Sequence, residues 1–157
     1  MSRQHIIHTW ITLEVVLGVV LLISGCAIYL LFRDKSLNIY QWCVALGLSD
    51  AIDNMRFAVQ DWNVAEWIRF CLPDGLYCAA YILIIDAIWH NDNRPIKFII
   101  ISLVPIVTIS SELLQYIGLV KGTFDVYDLV CYALPPTLYI CIIYVSFKFN
   151  KLRESRI

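Results

Sequence analysis

The sequence predicts an all-α integral membrane protein with four transmembrane helices and a short interfacial or re-entrant helical element between the first two. Three observations predict it. Of 157 residues, 60% are hydrophobic and only 16% charged, with a mean hydropathy of +0.70; a soluble domain runs about 45–50% apolar and about 25% charged. Four stretches qualify for the roughly 20 mostly apolar residues a helix needs to cross a hydrocarbon core of about 30 Å. The formal net charge is −1 with no basic patch, which argues against nucleic-acid binding, and the composition excludes a soluble enzyme or a disordered tail.

The first span covers residues 10–32 and carries one charge, Glu14. Within it, Ile23-Ser24-Gly25-Cys26 looks like the end of a lipoprotein signal, but the apolar run continues through residues 27–32 where a processed lipoprotein would begin a polar tether. The sequence therefore predicts a retained helix. The segment 37–70 follows. Its apolar piece, residues 37–48, would reach only about 18 Å as a helix and cannot cross. Further on, Val64, Ala65, Trp67, Ile68 and Cys71 form one face of a helix, with Asn63, Glu66 and Arg69 on the other. That amphipathic pattern, with Trp42, Trp62 and Trp67, predicts an element lying in the membrane interface; a short hydrophobic helix buried in the bundle is the alternative.

The second span covers residues 72–89, with Asp74 at its start and Asp86 near its end. The third covers 96–117, with Pro105 inside and Glu112 near its end; the fourth covers 126–147, with Asp128 at its start and Pro135-Pro136 inside. The whole chain reads as one membrane domain.

Orientation follows from Lys and Arg near the span ends. With a cytoplasmic N-terminus, Arg3, Arg94, Lys97, Lys148, Lys151, Arg153 and Arg156 fall inside in short segments, against Arg33, Lys35, Arg56, Arg69 and Lys121 outside. Both termini are expected in the cytoplasm. Four cysteines lie in apolar runs, where thiols behave as small hydrophobes; Cys43 and Cys71 lie outside the spans, and a bridge between them stays open.

Ionisable groups within spans are costly and mark candidate sites. In this topology Asp74, Glu112, Gln115, Asp125 and Asp128 all fall near the outer face. Glu112 and Gln115 share a helix face by their spacing, as do Asp125 and Asp128. Plainer roles compete: Asp125 is placed to cap a helix, Asp128 to meet its dipole, and Pro73-Asp74-Gly75 to form a turn. Glu112, inside an apolar run, is harder to explain as structure, unless it pairs with Lys121. Glu14 and Asp86 lie toward the other end and are expected to reach the interface there. No zinc spacing, nucleophile elbow or phosphate-binding loop is present, so no cofactor is predicted. The acidic cluster could hold Mg²⁺ or Ca²⁺ through oxygen ligands, though nothing sets a coordination number.

Glu112-Leu113-Leu114-Gln115, a short glycine-containing linker, and then Thr123-Phe124-Asp125-Val126-Tyr127-Asp128 resemble the VanZ-like family of small bacterial membrane proteins. Members typically carry Glu-x-x-Gln at the end of one span and Phe-Asp-x-x-Asp opening the next, and Leu72-Pro73-Asp74-Gly75-Leu76 is also similar to some of them. The likeness covers residues 72–134. The chain departs from the family at Gly122, where many relatives have arginine, and at Tyr132 and Pro135, where many have asparagine and glycine. Lys121 is then the local substitute for the missing counter-ion. The resemblance implies a role in the bacterial cell envelope, with reduced susceptibility to glycopeptide antibiotics of the teicoplanin type.

The expected protein is thus a multi-pass protein of the bacterial cytoplasmic membrane, in contact with membrane lipids. Its acidic outer site would engage a lipid-linked or cell-wall ligand. Two alternatives are an enzyme acting on a membrane lipid through a paired carboxylate, and a non-catalytic small subunit or immunity-type protein that packs against another membrane protein.

Overall fold

The computed structural model describes residues 3–90 and 94–154, with side chains for 9–90, 94–149 and 152. Arg156 and residue 157 lie outside the described residues, and Arg3, Lys151 and Arg153 outside the described side chains. Helices are α1 (Arg3–Phe32), α2 (Asn38–Ala45), α3 (Ser49–Ala58), α4 (Glu66–Phe70), α5 (Leu72–Ile88), α6 (Pro95–Tyr116) and α7 (Val126–Glu154). Among the described residues there is no strand.

Among the described residues three helices, not the expected four, are long and apolar enough to cross a membrane: Thr9–Phe32, Pro95–Tyr116 and Val126–Phe149. Their outer faces expose large apolar side chains, such as Ile23, Val107 and Ile140, as helices solvated by lipid do. These features mark a membrane protein. The expected second span falls short because α5 ends at Ile88 after 17 residues, about 25 Å at 1.5 Å per residue.

Although short, α5 lies at the centre of the bundle. Cys78, Ala80, Ile82 and Ala87 are among its buried residues, and α1, α6 and α7 all pack on it. Gly18 and Gly25 make the α1–α5 seam close: a Cβ at Gly18 would lie 2.8 Å from Ile84 Cγ1, and one at Gly25 2.8 Å from the Tyr77 ring. Small residues let helix backbones approach in a medium that offers no hydrophobic drive to pack them. The pairings run from Arg33 and Phe70 at one end to Glu14 and His90 at the other, so α1 and α5 are antiparallel. Tyr81 and Asp86 meet Ile100 and Lys97 of α6, and Glu112 meets the start of α7. The four long elements therefore alternate in direction.

The prolines inside α7 create part of the α5–α7 contact. Pro136 has no N–H, which frees the carbonyl of Tyr132 one turn earlier. The Cys78 thiol donates to that oxygen at 3.8 Å. Pro135 frees the carbonyl of Cys131 in the same way, and a Cβ at Gly75 would lie only 3.0 Å from it. A sequence feature that reads as a helix fault thus opens acceptors toward the small residues of α5.

The segment between α1 and α5 differs from its sequence reading. Residues 37–48 are not one apolar helix: α2 stops at Ala45, Gly47 takes φ +74°, and the N–H groups of Gly47 and Leu48 donate to Val44 and Cys43 at 2.9 Å each. That is a Schellman ending, which glycine permits without strain. An unforeseen helix, α3, starts directly after it, and the amphipathic helix expected near residues 64–71 shrinks to the five residues of α4. Lys35 Nζ lies 2.7 Å from Asp53 Oδ2 and the Tyr40 hydroxyl donates to Asp53 Oδ1 at 2.9 Å, tying α2 to α3. The Lys35 ammonium, with Tyr40, holds the Asp53 carboxyl below its ordinary range.

Candidate functional site

At the end of the bundle where α1 finishes and α5 and α7 begin, a cleft of about 620 Å³ opens. Asp74, Asp125 and Asp128 line it together with Cys71, Arg33 and Trp67. Three short-range facts of the chain bring the acids there. Pro73 and Asp74 open the first turn of α5, Asp125 immediately precedes α7, and Asp128 sits in the first turn of α7. Asp125 does cap that helix, its Oδ1 accepting from the Tyr127 N–H at 2.8 Å.

Glu112 is not on the cleft wall. It is buried at the end of α6, 6% exposed, directly behind Asp125. The Asp125 backbone N–H donates to its carboxylate, and Gln115 Nε2 reaches Oε1 at a long 3.5 Å. Glu112 Oε2 is enclosed without a partner, as is Asp128 Oδ1. Buried acceptors are seldom left in this state. Gly122 closes over Gln115: its φ is +149°, and a Cβ there would lie 2.5 Å from Gln115 Oε1. Any larger side chain here would have to displace that amide and would be strained in that backbone conformation.

The cation beside the cluster is Arg33, not the expected Lys121. Lys121 is exposed on the linker. Arg33 closes α1 from the opposite side of the cleft, its guanidinium 4.4 Å above the Tyr29 ring and donating to the Phe70 carbonyl at 3.2 Å. Arg33 and Asp74 line the cleft together. Only tertiary contact brings α1 here, but one signal was available: Arg33 is the first charge after the first span.

The sequence leaves a bridge between Cys71 and Cys43 open. Both are free thiols. Cys71 is 1% exposed, and its thiol donates to Asp128. Burial, with the Asp128 carboxylate beside it, pushes the thiol well above its ordinary range, so at neutral pH it remains a donor. Ligand atoms of Cys71, Asp125 and Asp128 lie within 4.8 Å of one another, a spacing one divalent cation can bridge. A thiol with two carboxylates is a borderline donor set, nearer to what Zn²⁺ takes than to the all-oxygen sites of Mg²⁺ or Ca²⁺.

The two remaining membrane acids correct another expectation. Glu14 and Asp86 do not reach out to the interface at the opposite end; they turn inward. Asp86 Oδ1 lies 2.6 Å from Lys97 Nζ and accepts from the Tyr139 hydroxyl at 2.6 Å. Lys97, counted above as a flanking charge, is 8% exposed. Glu14 Oε2 lies 3.7 Å from His90 Nδ1, beyond hydrogen-bond distance, and is enclosed without a hydrogen-bond partner. An acid inside a bundle costs less beside a base and a hydroxyl than alone in lipid, and four different helices supply these groups.

Comparison with protein-family models, with curated proteins and with solved structures gives no match.

Proposed function

We propose that the chain is a VanZ-like cell-envelope protein of the bacterial cytoplasmic membrane whose acidic cleft takes the polar part of a lipid-linked or cell-wall ligand at the outer face. The observation that carries this reading is the cleft itself: carboxylates of Asp74, Asp125 and Asp128 face Arg33 across one cavity, with Trp67, Phe70 and Tyr127 on its walls. Carboxylates accept from the hydroxyl and amino groups of sugars and peptides, a guanidinium suits a phosphate, and aromatic faces pack against sugar rings. The unpartnered oxygens of Glu112 and Asp128 support a site completed by a ligand, a cation or a proton. A second reading, an enzyme acting on a lipid, draws on those same oxygens as a general base.

The test uses amides, which keep size and helix capping while removing charge. Asp125→Asn should leave thermal stability within about 0.5 kcal/mol, because asparagine caps about as well as aspartate. In cells expressing the chain, Asp125→Asn and Glu112→Gln should each abolish the change in susceptibility to a teicoplanin-type glycopeptide while the protein still inserts and accumulates. Wild-type behaviour of both would sink the site and put the non-catalytic packing-partner reading first.

This reading includes four crossings with both termini cytoplasmic. Support comes from the contacts of Arg33 with Phe70 and of Glu14 with His90, which set α5 and its flanking residues alongside most of the first apolar stretch. Reporters fused at each terminus should score on the same, cytoplasmic side, and one inserted at Lys121 on the other. Termini on opposite sides would mean that only the three long helices cross.

A further inference from the structure

A second cleft of about 300 Å³ lies at the end of α1, apart from the acidic one, and Arg56, Arg69, Phe57 and Trp62 line it with Leu31 and Phe32. Its wall carries two guanidinium groups and no carboxylate. We infer that it binds the phosphate of an anionic phospholipid, with the acyl chains descending along α1.

Three observations carry this. Arg56 is already committed: its Nη1 donates to the Leu30 carbonyl at 2.9 Å and its Nη2 to the Arg33 carbonyl at 2.6 Å. Its charge faces the cleft while its donors hold the fold. Arg69 is not committed. Its Nε is enclosed without a hydrogen-bond partner, and its side chain makes no ion pair among the described residues. A buried guanidinium donor without an acceptor is costly, and phosphate is the acceptor that matches its fork. Depth supplies the third observation. Leu31 and Phe32 are the last residues of the apolar stretch Thr9–Phe32, so the cleft opens where hydrocarbon gives way to headgroups. Phe57 and Trp62 are 71% and 62% exposed there, as side chains resting among lipids would be. The inference rests on the membrane character of the chain and not on the acidic cleft.

The full chain, purified in a neutral detergent, is titrated with phosphatidylglycerol and followed by native mass spectrometry, with phosphatidylcholine of the same chains and inorganic phosphate as separate arms. Wild type should retain one phosphatidylglycerol in preference to phosphatidylcholine. Arg69→Gln should weaken that binding about tenfold, the loss expected for one charge-assisted contact, with its melting temperature unchanged because Arg69 holds no other element. Arg69→Lys should fall between, keeping charge without the fork, and Lys148→Gln should bind as wild type does. Equal retention by wild type and Arg69→Gln overturns the site. Equal affinity for the two lipids overturns its preference for anionic headgroups, and inorganic phosphate displacing the lipid at comparable concentration makes the free anion the ligand.

Discussion

Lys97→Met should cost about 3–5 kcal/mol of stability, the range for removing one member of a buried ion pair and stranding the other. Asp86 would keep only the Tyr139 hydroxyl, and the side chains of Lys97 and Asp86 are 10% and 18% exposed, so water cannot replace the ammonium. The pair also joins α5 to α6, so its loss loosens the element that all other long helices touch. Unfolding of the purified chain in mixed micelles measures this. Replacing both members, Asp86→Leu with Lys97→Met, should recover most of the loss, since an apolar pair leaves no orphan charge. Tyr139→Phe should cost less, about 1 kcal/mol, because the ammonium still compensates the carboxylate. A single Lys97→Met variant as stable as wild type would mean that the pair is solvated in the membrane.

Arg56→Ala should cost about 2–3 kcal/mol, from two charge-assisted bonds to backbone carbonyls. Those carbonyls, of Leu30 and Arg33, end α1, where helix geometry leaves acceptors unpaired and the dipole favours a cation. The substitution would also free α3 from α1, and with it the backbone that carries Arg33 over the acidic cleft. Thermal unfolding should show the loss, and Arg56→Lys should restore only part, since an ammonium does not reproduce the fork. If Arg56→Ala melts with wild type, α3 is held by other contacts and Arg33 is positioned by its stacking on Tyr29 and Phe70 alone.

The acidic cluster was partly legible because Asp125, on the cleft wall, and Glu112, buried behind it, are neighbours in sequence. Glu112 and Asp125 are separated by one short linker, so an antiparallel pair of helices must bring them to the same end. Asp128 follows by one turn of α7. Asp74 depends on a longer argument, since α5 must run in the same direction as α7. Cys71 and Arg33 depend on neither. Cys71 reaches Asp128 across 57 residues of chain, and Arg33 joins Asp74 on the cleft through the packing of α1 against α5, where Gly18 and Gly25 make the seam close.

The sequence by itself determined the helical class, the membrane as solvent and the three spans long enough to cross it. Each of these is a property of local composition: about 20 apolar residues in one helix are long enough to cross hydrocarbon, and a helix satisfies its own backbone there. The segment before α5 was less readable, because a five-residue helix or a Schellman turn at Gly47 depends on a few dihedral angles that hydrophobic periodicity does not record. Tertiary structure alone decided how the charges were distributed. Every sequence reading placed Lys97, Asp86 and Glu14 at the membrane surface, since each is expensive on a lone helix. Packing lowered that cost by giving Asp86 a base and a hydroxyl from two other helices, and it set Arg33 rather than Lys121 beside the acids. A charge is costly or cheap according to its partners, and partners far apart in the chain meet only when the bundle closes.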